Sequence, residues 1–261
     1  MKQTQAKKFQ FFFMISILVW AWAVGVRADE VDNKMDNNDS GDFIHERTYV
    51  GGLATYTGID NGGDFTGLNT MTYGSAAPYE IELIPTISQN VGFAVLLGRR
   101  EGAWAAEISY WNSNHSATFN NGGITYQGTA TYQSINLDFK HYFFTQFPTQ
   151  PFISVGLSLP WLVVQNGSIY GSVPPPSTGD GLSDATYTGI GFNLGAGLEI
   201  YMGQNFSIVG SITERWAGYG DVLGYNRVHE VPQLNGTDIT LQASGLNFGL
   251  GATIAFADPL F

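Results

Sequence analysis

From Gly189 to Ile200 the chain reads "GIGFNLGAGLEI" and alternates without a break. Ile190, Phe192, Leu194, Ala196, Leu198 and Ile200 are apolar, and the residues between them are Gly, Asn or Glu. A period of two marks an extended strand with one oily and one wet face. The closely spaced glycines invite another reading, a phosphate-cradling loop. The dinucleotide fingerprint would need a glycine at Leu194, and it belongs at a strand-to-helix turn. The pattern is that of a strand.

The same alternation recurs along the chain and predicts eight strands, over residues 47–57, 79–98, 104–110, 125–144, 152–165, 188–200, 206–216 and 240–256. Three connections are short: "RREG" (99–102), "TQFPTQ" (145–150) and "GQN" (203–205). Four are long and rich in Gly, Asn, Ser and Thr, over 58–78, 112–123, 166–184 and 217–238. Short and long connections alternate. That sorts them onto two ends, as in a transmembrane barrel with short periplasmic turns and long outer loops. Residues 191–200 and 245–254 share the pattern G-x-N-x-G-x-G-x-x-I, which reads as common strand grammar.

Charge and composition narrow the class further. Lys2, Lys7 and Lys8 precede an apolar run from Phe11 to Val26, and "VRA" offers a cleavage site between Ala28 and Asp29. Residues 1–28 are therefore expected to be a signal peptide. Its removal takes four basic residues and lowers the formal net charge from −11 to −15, which argues against nucleic acid as a partner. Residues 29–46 are acidic and polar and should form a disordered lead-in. The barrel should span 47–256, and 257–261 form a tail. The chain has no cysteine, which favours a bacterial envelope protein over a disulfide-stapled secreted domain. Although 44% of residues are hydrophobic and only 13% charged, no run after the signal is long enough for a spanning helix of about 20 residues. The apolar face of the strands is the surface expected to meet lipid.

On that reading Glu107, Asp138, Lys140, Glu199 and Arg215 fall on the inner face as a lumen charge network. Lys140 and Arg215 are each expected to meet a carboxylate, because buried charges must be paired. Glu214 falls on the outer parity beside Trp216 and is expected above the hydrocarbon or on a bulge. Trp104, Phe143, Phe144, Phe152, Tyr201, Phe206 and Phe256 cluster beside the short turns. They are expected to form an interface ring at one membrane surface.

Strand grammar such as "GLNFGLGATIAF" and the order of short and long connections resemble the small eight-stranded outer-membrane barrels of Gram-negative bacteria, the OmpA-barrel, OmpX, OmpW and opacity-protein type. The resemblance covers 47–256. It implies an all-β, antiparallel, up-and-down transmembrane barrel in the outer membrane, surrounded by lipid and lipopolysaccharide. It also implies insertion by the barrel-assembly machinery through a C-terminal aromatic residue, here Phe256 or Phe261. No enzymatic activity and no cofactor are expected.

The expected role is a membrane anchor whose loops display Phe65, Tyr73, Phe119, Tyr170, Tyr219 and Tyr225 to an extracellular ligand. The alternative is a narrow channel for small or apolar solutes. A third reading, a lipid A-modifying esterase, would use a His-x-Ser pair, from which the adjacent His115 and Ser116 depart. His45, His141 and His229 have no metal-ligand spacing. Asp36, Asn38, Ser40 and Gly41 loosely echo a calcium loop, but Arg47 stands where its closing Glu would be. No metal site is expected.

Overall fold

The computed structural model describes residues 43–44, 46–59, 70–73, 79–82, 85–121, 124–164, 185–203, 205–223, 229–230, 233–234, 237–238 and 240–256. The signal and its cleavage site, the lead-in through 42, His45, the tail, and Phe65, Tyr170 and Tyr225 lie outside the described residues.

Eight long strands build the wall: β1 (Glu46–Thr57), β2 (Asn90–Glu101), β3 (Trp104–Asn121), β4 (Ile124–Tyr142), β5 (Thr149–Val164), β6 (Ala185–Tyr201), β7 (Phe206–Leu223) and β8 (Leu241–Phe256). Each pairs antiparallel with its neighbours in sequence. The sheet closes when β1 meets β8, from Thr48 opposite Phe256 to Thr57 opposite Asn247. The fold is a closed, up-and-down, eight-stranded antiparallel barrel. Closure removes every sheet edge, so the wall satisfies its own backbone, as lipid demands.

At one end, here called the inner end, lie the start of β1, the end of β8 and the three short turns. Two of these turns use left-handed glycines, Gly102 at φ 52° and Gly203 at φ 114°. The third holds Phe144 at φ 56°, where the chain leaves β4 and the Phe144 carbonyl accepts a hydrogen bond from the Phe147 amide at 3.0 Å.

At the outer end the structure departs from the sequence reading twice. Residues 112–123 do not form a long loop. β3 and β4 stay paired until Asn121 meets Ile124, leaving residues 122–123 as the whole connection. The barrel thus carries three long connections and one projecting hairpin instead of four loops. The expected second strand is also interrupted: Tyr79–Glu82 and Thr86–Ile87 are short pieces flanking Pro85, each paired to the outer part of β3. A proline lacks the amide that a central ladder position requires.

The wall's two faces differ sharply. Phe93, Val95, Ile108, Ile135, Phe139, Ile153, Leu157, Phe192, Leu194, Phe248 and Leu250 point outward and are exposed. Outward apolar residues run from Ile153 to Trp161 on β5 and from Ile190 to Ile200 on β6. These are the lengths of tilted strand, about 9–11 residues, that cross a bilayer core. The core of the molecule therefore sits inside the barrel, where polar side chains dominate its inner half.

Candidate functional site

Any pore or gate must lie in the lumen. Its inner half is built around Glu199 on β6. That carboxylate receives the Arg47 guanidinium from β1 and the Ser207 hydroxyl from β7. It also accepts bonds from the Tyr142 hydroxyl of β4 at 2.7 Å and the Thr253 hydroxyl of β8 at 3.4 Å. A second pair stands beside it: Lys140 Nζ donates to Glu107 Oε2 at 2.6 Å, and the Tyr49 hydroxyl donates to the same oxygen at 3.1 Å. The Arg47 guanidinium also lies over the rings of Tyr49 and Tyr201, 4.9 and 4.6 Å from their centroids. Buried charges are tolerated when ionic and hydrogen-bonding partners surround them in this way.

Arg100 closes the floor. It is fully buried, lies 4.0 Å from the Tyr142 ring centroid, and bonds the Gly102 carbonyl at 2.7 Å and Gln150 Oε1 at 2.6 Å. It also donates to the Tyr201 hydroxyl. Gln150 in turn donates to the carbonyls of Thr145 and Phe147. One guanidinium thereby reaches two of the inner turns and the end of β6. Below it Ile44 is buried, and the Phe43 amide donates to the Thr145 carbonyl at 2.7 Å.

Above this network lies a cavity of about 40 Å³ lined by Trp111, Asn136, Asp138, Asn193, Thr213 and Arg215, among others. At about 10–15 Å³ per water-sized probe it has room for a few waters. Asp138 reaches it by lying over Gly156, where a Cβ would stand 2.0 Å from its Oδ1. Over the cavity sits an apolar plug that includes Ile59, Ile87, Tyr132, Leu162, Tyr187 and Leu241. Beside the plug, His115 Nε2 lies 2.7 Å from Ser113 Oγ and Nδ1 lies 2.7 Å from the Ser88 carbonyl. The carbonyl can only accept, so Nδ1 carries the proton and Nε2 accepts from Ser113. Burial pushes the His115 pKa down to about 4, and the nearby Arg215 charge adds to that.

Glu107, Asp138, Lys140, Glu199 and Arg215 all line the same cavity. The expected carboxylate partner of Arg215 is not there among the described residues. Arg215 donates to the Gly58 carbonyl at 3.0 Å and lies 4.1 Å from the Tyr132 ring centroid. Trp104, Phe143, Phe144, Phe206 and Phe256 are exposed at the inner end of the barrel. Phe152 and Tyr201 are not part of that ring; both are buried in the lumen. Parity explains the correction, because Ile153 and Ile200 hold the outward positions beside them. Gly197 makes room for one ring, since a Cβ there would stand 2.3 Å from Phe152 Cζ. Glu214 is half-buried on the outer face in unbroken register, with no bulge, two residues below Trp216.

Arg47, Arg100, Tyr49 and Tyr142 were missed by sequence reasoning. Arg47 shares inward parity with Tyr49, Leu53 and Thr55, and that signal was legible. Arg100 was hidden because "RREG" reads as a turn, whereas β2 continues through Glu101. His115 faces inward and Ser116 outward, so the two do not form a catalytic pair. Among the described residues no cluster of His, Cys, Asp or Glu is placed to hold a metal ion.

An apolar outside and a charge-filled inside define a barrel of the membrane-spanning class. No family model matches the chain, and no curated protein matches it. Among solved structures it is similar to Neisserial surface protein A, at 15% identity and TM-score 0.45, covering 80% of this chain and 97% of that one. It is also similar to the outer membrane protein OprG from Pseudomonas aeruginosa, at 12% identity and TM-score 0.44, covering 84% and 99%. A third similarity is to Ail, the attachment invasion locus protein of Yersinia pestis, at 13% identity and TM-score 0.38, covering 81% and 97%. The chain's own register and surfaces define that class.

Proposed function

We propose that this protein is an integral outer-membrane barrel without catalytic activity. It acts as a rigid anchor that holds three loops and a projecting hairpin outside the cell for adhesion or ligand contact. Its surroundings are membrane lipid and lipopolysaccharide, and the barrel-assembly machinery inserts it. The observation that carries this reading is the double closure of the lumen. Paired charges and Arg100 fill the inner half, and an apolar plug fills the outer mouth. A channel would need a continuous wet path, and the cavity between the closures holds only a few waters. Lipid A esterase chemistry loses its pair because His115 and Ser116 face opposite sides.

The test is single-channel recording of the refolded barrel in planar bilayers. Current indistinguishable from the bare membrane is expected. A stable open level would replace this reading with the narrow channel.

A further inference from the structure

The projecting hairpin has an outer face with a distinctive chemistry. No Asp, Glu, Lys or Arg lies between Glu107 and Asp138. Cross-strand register pairs Asn112 with Gln133, Asn114 with Thr131, Ser116 with Thr129 and Thr118 with Gln127. All eight are exposed or half-buried, while Ser113, His115, Ala117, Ala130 and Tyr132 alternate inward and are buried. The outer face is thus a neutral ladder of hydroxyls and carboxamides. At about 3.3 Å per residue it runs about 20 Å along the strands.

Its foot is an aromatic shelf. The Tyr110 hydroxyl accepts from Gln133 Nε2 at 2.8 Å and from Asn112 Nδ2 at 3.3 Å, and Trp161 Nε1 donates to Gln133 Oε1. The Tyr110 ring centroid lies 6.3 Å from that of Trp161 and 6.5 Å from that of Phe93. Higher up, Thr131 Oγ1 donates to Asn114 Oδ1 at 3.0 Å, which orients the Asn114 amide nitrogen with no partner among the described residues. On the outer faces of β3 and β4, Tyr110 and Ile135 are the last large apolar or aromatic residues before the ladder begins. The ladder therefore starts at the upper edge of the apolar belt, with Val163 of β5 still beside Thr131.

We propose that this face holds the neutral saccharide portion of the glycolipids in the leaflet around it. Sugar hydroxyls donate to and accept from the ladder, and the apolar face of the first ring rests on the Trp161–Tyr110 shelf. A face without cations has no chemistry for phosphate, and a face without a large apolar patch has none for acyl chains. Continuity with the lipid-facing belt selects the surrounding membrane as the source of the sugar. This inference rests on the outer-membrane reading and goes beyond it by naming the ligand and the face.

The test uses the full-length barrel in nanodiscs that contain equal amounts of one glycolipid with its saccharide and the same lipid truncated to its phosphorylated acyl anchor. Native mass spectrometry reads which lipid stays bound, and a heat-dependent gel shift verifies the folded barrel. At least about fivefold retention of the saccharide form is expected, a ratio worth about 1 kcal/mol. The triple variant N114A/T131A/Q133A should bring the ratio near one while keeping the gel shift. The double variant S116A/T129A, farther from the shelf, should lower it part of the way. A wild-type ratio near one overturns the proposal, as does a preference that the triple variant retains. A preference lost on dephosphorylation, or a two-barrel species abolished by the variants, overturns it in favour of charge or of self-association. A barrel that does not enter the discs overturns the outer-membrane reading itself.

Discussion

At the inner end of the lumen Glu199 alone accepts hydrogen bonds from side chains of four other strands. At the outer end Leu162, Tyr187, Tyr219 and Leu241 pack together as they would in a soluble core. One barrel thus fills its interior by two opposed means. The inner half lies behind lipid-facing wall, where a closed network of charges holds the strands in one register. The outer half stands beyond the belt, where the strands rise past the membrane and can bury apolar side chains inward. The difference teaches that depth sets the balance. Within the belt the apolar residues are mostly outward, and the inward face mixes the charge network with a smaller apolar cluster around Leu53, Leu96 and Val209. Above the belt the inward face is mostly apolar.

The inner network should be the more brittle half. Removing one partner of a buried ion pair leaves the other charge uncompensated and costs about 3–5 kcal/mol. Glu199→Gln, measured by urea unfolding in a lipid environment, is expected to lose that much, because Arg47 would keep its burial without its carboxylate. Loss below about 1 kcal/mol would mean that the network does not hold the register.

In the plug the expected cost is that of a cavity. Leu162 is fully buried in the apolar cluster, and Leu162→Ala should cost about 2–4 kcal/mol. The readout separates the halves: proteolysis at the outer connections should accelerate while the heat-dependent gel shift of the barrel persists. If the shift is lost as well, the two halves unfold as one unit and do not differ in stability.

The same contrast governs what the sequence could reveal. Within the belt the strands advertised themselves, because Ile190 to Ile200 oppose bulky apolar to small or polar at every step. Above it the contrast vanishes. Along residues 112–118 the outward Asn114 and Ser116 alternate with inward Ser113, His115 and Ala117, so both faces look polar or small and the segment reads as loop. Phe152 and Tyr201 misled for the converse reason: aromatics near a turn suggest an interface, and only the parity of Ile153 and Ile200 turns them inward. Arg100 was lost because a charged pair before a glycine looks like a turn, while the strand continues through it. The charged lumen could be read from parity alone, but its pairing could not. Arg215 has a ring and a carbonyl where a carboxylate was expected, and no linear pattern records that.

The smallest effect belongs to His115. It is buried beside the plug, above the last apolar outward residue of β3, and bonds the Ser88 carbonyl, where Ser88 and Ser116 also exchange hydrogen bonds. Its folded pKa of about 4 lies below its usual value of 6.5, so the opened state binds the proton more readily than the closed state. Stability of this contact is therefore full above pH 6.5 and declines as pH falls from there towards 4. At pH 5.5 the loss is on the order of 1 kcal/mol. Hydrogen exchange at the Ser88 and Ser116 amides should accelerate several-fold between pH 7.5 and 5.5, after correction for intrinsic rates, while amides paired around Glu199 keep theirs. His115→Gln, which cannot take the proton, should abolish the acceleration. An equal change in both halves would show that protonation acts on the barrel as a whole and that the outer contact has no separate response of its own.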